Sequence, residues 1–134
     1  MTKTNEYLGI DQDTLIMGSS RDDQGSVRIS FKRTLRIPDD GKTYPLPPGL
    51  GSFPLRKVDD YADRVPDDWR KHGGIFLPMY QREAMWVHFS VTSHHPWAVK
   101  IGVGKVCAVT GKPWEGRKLR KKPQDYLMVP EQPW

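Results

Sequence analysis

An α+β domain, mainly antiparallel β-sheet with a few short helices, is the fold class this chain predicts, on three observations. From Ser26 to Ile37, Val27, Ile29, Phe31, Arg33 and Leu35 alternate with Arg28, Ser30, Lys32, Thr34 and Arg36, the period of a half-buried strand. Residues 73–114 hold further alternations and few acidic residues. The helical patterns are short and punctuated by Pro66 and by Gly73-Gly74.

Taken in order, residues 1–12 are expected to be a loose terminus, followed by a short strand at Thr14–Met17 that ends in the turn-rich GSSRDDQGS. In the strand from Ser26, Arg33 interrupts the apolar face and predicts a bulge or the point where the strand leaves the core. PDDG at 38–41 is turn chemistry, because Pro38 fixes its φ and Gly41 accepts positive φ. YPLPPGLGSFP at 44–54 is an extended connector, since its prolines remove backbone donors. Leu46, Leu50, Phe53 and Leu55 alternate through it, predicting that it lies on the domain and buries them.

Beyond the connector, VDDYADRVPDDWRKHGG reads as two helical pieces split at Pro66, with Asp59 or Asp60 capping the first and Asp67 and Asp68 in the first turn of the second. Tyr61, Val65 and Trp69 form a candidate buried stripe. Ile75–Leu77 is a short strand closed by Pro78, and MYQREAMW predicts a short helix, with a continued strand as the second choice. Val87, Phe89 and Val91 alternate with His88, placing that imidazole on the less apolar face. A hairpin is the economical reading of Ala98–Val103 and Lys105–Thr110, and Tyr126–Val129 is the last strand.

The length of 134 residues predicts a single domain over 1–134 that folds without staples. Cys107 is the one cysteine, so no internal disulfide forms, and no apolar run reaches the ~18 residues of a membrane helix. The polar N-terminus and reduced thiol predict a cytoplasmic protein with no membrane partner. The net charge of +5 is unevenly placed. Residues 1–74 carry 12 Lys/Arg and 12 Asp/Glu, whereas 75–134 carry 9 and 4. Arg117, Lys118, Arg120, Lys121 and Lys122 supply most of that excess in a segment expected to be a solvated loop.

Candidate chemistry is sparse. GVGKVCAVTGK fails as a phosphate loop, because Lys112 precedes Pro113 rather than Ser or Thr. His88, His94 and His95, with Met79, Met85 and Cys107, are the soft ligands, and no spacing among them predicts a metal. Cys107 between Val106 and Ala108 reads as a small core side chain before it reads as a nucleophile served by Lys105 and His88. The paired aspartates sit in turns and helix starts, where capping explains them better than acid–base catalysis. No catalytic residue and no cofactor is assigned. The alternative of a ligand pocket is expected from Tyr80, Trp86, His88 and Cys107. The 117–122 cluster, with Trp97, Trp114 and Tyr126 nearby in sequence, is a candidate for nucleic acid or an acidic partner. Lys42-Thr43-Tyr44-Pro45-Leu46-Pro47-Pro48 matches the basic-then-proline pattern that extended-peptide readers bind.

Residues 31–55 (FKRTLRIPDDGKTYPLPPGLGSFPL), 73–86 (GGIFLPMYQREAMW) and 124–134 (QDYLMVPEQPW) together resemble the N-terminal half of a family of uncharacterised bacterial and fungal proteins. That family carries no established activity, so the resemblance transfers no site. It implies that family chains continue beyond the segment resembling PEQPW; separately, the apolar character of Val129–Trp134 predicts that more chain or another subunit packs after it. The first functional expectation is therefore a non-enzymatic interaction or assembly domain of a bacterial protein, with a protein partner or self-association, and with Trp134 or Trp97 exposed or in an intermolecular contact. A small-molecule-binding or enzymatic domain is the alternative, and basic-patch binding to nucleic acid ranks below both.

Overall fold

The computed structural model describes residues 6–19 and 25–131. Its strands are β1 (Glu6–Asp11), β2 (Thr14–Ser19), β3 (Ser26–Thr34), β4 (Arg56–Lys57), β5 (Ile75–Phe76), β6 (Ala84–Val91), β7 (Trp97–Val99), β8 (Gly102–Val103), β9 (Val106–Cys107) and β10 (Leu127–Val129). Among the described residues, helix is confined to α1 (Asp67–His72) and a 3-10 turn at Asp59–Tyr61. The architecture is thus mainly antiparallel β, with less helix than the α+β expectation allowed.

The central sheet runs β1-β2-β3-β6, all antiparallel. Its edge strand β1 falls within the stretch expected to be a loose terminus. The hairpin was illegible because Gln12 and Asp13, at φ 45° and 60°, make the left-handed two-residue turn without the Asn-Gly signature. Asp13 is held by the core side of the chain: its Oδ1 accepts the Leu55 N–H at 3.1 Å.

β3 organises this sheet. β6 pairs along it from Val27↔Val91 to Thr34↔Ala84, whereas β2 stops at Thr14↔Ser30. The flank that β2 leaves bare is taken by the proline-rich connector: Arg33 N–H donates to Gly51 O (2.8 Å), Leu50 N–H to Arg33 O (2.7 Å) and Phe53 N–H to Phe31 O (2.8 Å). Phe53 is fully buried by this pairing and Leu55 almost so, each contributing roughly 1.5–3 kcal/mol of transfer free energy. The other half of the expectation fails, since Leu46 and Leu50 are 71% and 55% exposed. Alternation through prolines carries no pleat: Leu50 pairs with β3 yet stays exposed, and only Phe53 and Leu55, beyond the 45–48 prolines, turn inward.

Arg33 closes the apolar face instead of leaving it. Its guanidinium lies 4.3 Å over the Phe53 ring and pairs with Glu83. Glu83 also accepts the Tyr80 N–H at 3.0 Å, and Arg82 takes φ 66°. These contacts make 79–83 a turn into β6 where a helix was expected, because a helical path would withdraw Glu83 from Arg33.

After the connector, β4 pairs with β5, and Tyr61 and Trp69 pack on Phe76 with ring centroids 5.5 and 5.7 Å away. Neither Asp59 nor Asp60 caps the 3-10 turn, whose N-cap is Val58. Gly73 ends α1 at φ 68°, as its position predicts. The hairpin at the end of the chain is shorter than expected: β8 pairs with β9 across Gly104-Lys105, while β7 pairs with β10. The core gathers Leu15, Val27, Ile29 and Leu55, with Trp97 and Val99 of β7 packed against it. No helix among the described residues is long and apolar enough to cross a membrane.

Candidate functional site

Two regions hold the chemistry of this fold, a polar clamp at the β7–β10 end and an apolar cleft on the sheet. The clamp starts from sequence: β8 and β9 are too short to bury a core, so the loops around them are fastened by side chains. Lys100 Nζ lies 2.9 Å from Asp125 Oδ2, and both side chains are 8% exposed. A buried pair needs further partners to offset its lost hydration. Lys100 Nζ donates to Lys118 O at 2.7 Å and sits 4.9 Å from the Trp114 ring. Asp125 Oδ1 accepts the Arg120 N–H at 2.8 Å, and that bond, joined by Lys100, holds the carboxyl below its usual range despite burial.

Cys107 stands beside this pair, 3% exposed, with its Sγ 3.5 Å from the Asp125 carbonyl oxygen. The chain turns sharply after it: Gly111 N–H donates to Cys107 O and Cys107 N–H to Lys112 O, both at 2.8 Å, with Gly111 at φ 70°. This turn brings the Thr110 hydroxyl and the Thr110 and Val109 N–H groups to the sulfur, so the thiol is held below its ordinary value. A cavity of about 130 Å³ borders Cys107, Thr110 and Lys112. Its size admits water or a small ion.

The basic cluster lies on the outer loop of the clamp. Arg117, Lys118, Arg120, Lys121 and Lys122 are all exposed, as a solvated loop predicts. Arg120 is engaged with both carboxylate oxygens of Glu115, with Nη2 at 2.9 Å from Oε1. Lys118 serves through its carbonyl, and Lys121 bridges to Gln124. Part of the cluster is therefore tied into the fold.

The four residues proposed for a pocket are dispersed. Tyr80 is 81% exposed in the turn before β6. Trp86 and His88 are neighbours on β6, 6.2 Å apart in an edge-on contact, and the register turns both to the sheet face opposite Ile29 and Phe89. Cys107 lies in the clamp, whose cavity none of the other three borders. Among the described residues, no three His, Cys, Asp or Glu side chains gather where they could hold a metal ion.

The apolar cleft is the feature that sequence reading missed. Register places Leu8, Ile10, Leu15, Met17, Val27, Ile29, Phe31, Val87, Phe89 and Val91 on one face of the central sheet. β7 covers part of that face, and between them runs a cleft of about 450 Å³ bordered by Met17, Phe31, Val87, Phe89 and Trp97. Phe31, Val87, Phe89 and Trp97 are only half-buried, and on the same sheet face Leu8, Met17 and Met85 are 39%, 45% and 42% exposed. The alternation marked this face as apolar; nothing in it revealed that β7, three residues long, is too short to cover it.

Compared with known proteins, the chain matches no family model, no curated protein and no solved structure.

Proposed function

We propose that this chain is an assembly domain that docks a second polypeptide, in the first instance another copy of itself, on the open apolar face of its central sheet. The observation that carries the reading is the cleft of about 450 Å³ with aromatic walls, on a sheet face that also exposes Leu8, Met17 and Met85. Contiguous apolar surface of this kind is a docking site in soluble proteins, and a pocket between aromatic side chains suits the inserted anchor of a partner.

Sedimentation of the full chain at micromolar to submillimolar concentration tests the reading. A dimer that dissociates when Met17→Glu or Met85→Glu places a charge on that face supports it. A chain that stays monomeric throughout, with the variants sedimenting identically, sinks self-association.

A second reading has its own observation: 450 Å³ lies within the span of small-molecule sites, about 300–1,000 Å³. An apolar ligand would raise the melting temperature of a monomer, and Phe89→Ala would abolish the rise.

A further inference from the structure

We infer that residues 42–48 form a docking peptide for a domain that reads polyproline II helices. This surface is independent of the cleft and goes beyond the assembly reading. Five consecutive residues are conformationally restricted by sequence alone. Pro45, Pro47 and Pro48 have φ fixed near −65°, and Tyr44, Leu46 and Pro47 each precede a proline, which expels them from the α region. Extended backbone, compatible with polyproline II, is thereby favoured over helix through 44–48.

Its spacing then places the recognition groups. At three residues per turn, Lys42, Pro45 and Pro48 fall on one edge of such a helix, about 19 Å from first to last. That is the arrangement of a cation followed by two proline ridges, which aromatic-lined grooves with an acidic pocket accept.

The fold presents this segment instead of burying it. Residues 42–46 and Pro48 are exposed, and Leu46 at 71% is among the most exposed large apolar side chains. Among the described residues, Lys42 makes no ion pair, and no backbone–backbone hydrogen bond joins 42–48 to the rest of the chain. The carbonyls of 43–47 are therefore open to donors from a groove.

Both ends are nevertheless pinned. Asp40 accepts the Lys42 N–H at 3.0 Å and the Tyr44 hydroxyl at 2.5 Å. At the other end the Thr34 hydroxyl donates to Pro48 O at 3.0 Å, and Gly49 packs so closely on Trp86 that a Cβ would stand 3.2 Å from the indole. Ordering costs on binding are thereby reduced before a partner arrives.

The test is titration of the full chain with a panel of purified SH3 domains, with WW and EVH1 domains as comparison arms. At least one SH3 domain should bind well below ~1 mM, and Pro45→Ala/Pro48→Ala should weaken it by roughly tenfold or more. Should the double variant fold poorly, Lys42→Glu, exposed and unpaired, must weaken the same complex, while Met17→Glu in the cleft leaves it unchanged. Absence of binding at ~1 mM across all three classes overturns the inference, as does a complex indifferent to Lys42→Glu and to the proline double variant. Binding by WW or EVH1 domains alone overturns the role given to Lys42.

Discussion

The clamp and the cleft resolve opposite physical problems in one small fold. In the clamp, the buried Lys100 and Asp125 charges are surrounded by partners, the Arg120 N–H among them, so each is satisfied within the chain. Along the cleft, Phe31, Val87 and Phe89 present apolar rings and branches to open space. Lys100 borders both. The two regions differ in which kind of energy is already committed. Polar groups that are fully paired hold the molecule together, and apolar groups that are half-covered remain available to something else. A cluster of charges around a cysteine invites a catalytic reading, yet here those charges face one another.

The contrast is most easily broken at Asp125. Asp125→Asn strands the Lys100 ammonium, and the melting temperature should fall by roughly 10 °C or more. The double variant Lys100→Met/Asp125→Leu should recover much of that loss, since an apolar pair needs no compensation. A fall of less than ~2 °C in the single variant would show that the clamp is ornamental.

Acid should reach the same pair. The folded Asp125 carboxyl is held below its ordinary value of 3.8, so its contribution is fully present above that pH and is lost as pH falls through the depressed folded value. Acid denaturation followed by circular dichroism should therefore show a steep limb below about pH 4 that flattens in Asp125→Asn.

Gly102→Ala sharpens the clamp at its packing. A Cβ there would stand 2.7 Å from the Trp114 ring, which covers β8 and faces Lys100. The expected loss is ~1–3 kcal/mol by urea unfolding, with quenching of indole fluorescence changed as Trp114 is displaced. Smallest of all is the effect of Met17→Glu on folding. Met17 is 45% exposed, so stability should move by no more than about 0.5 kcal/mol while association weakens. A large loss of stability instead would mean that the cleft belongs to the core.

Much of the sheet was legible because pleated alternation is a strong signal. β3 and β6 follow from Val27, Ile29, Phe31 and Val87, Phe89, Val91, and His88 lies on the predicted face. The turn before β6 was not legible, since Glu83 is a good helix former and its bond to Arg33 spans fifty residues. The clamp was illegible for a related reason. Nothing local ties Lys100 to Asp125, or brings the Thr110 hydroxyl to Cys107, until the chain has turned through Gly111. The expectation for Trp97 meets a half-buried indole lining the cleft, while Trp134 lies outside the described residues.

β3 has a consequence for synthesis on the ribosome. Its second neighbour, β6, is encoded far downstream, with Val27 meeting Val91. While the nascent chain is shorter than that, β3 has a bare hydrogen-bonding edge beside apolar side chains, the condition under which strands recruit other chains. The connector at 50–53 shields only one flank near Arg33. Slow translation between residues 34 and 84 would prolong that vulnerable interval, and a chaperone that caps exposed strands would act most usefully there.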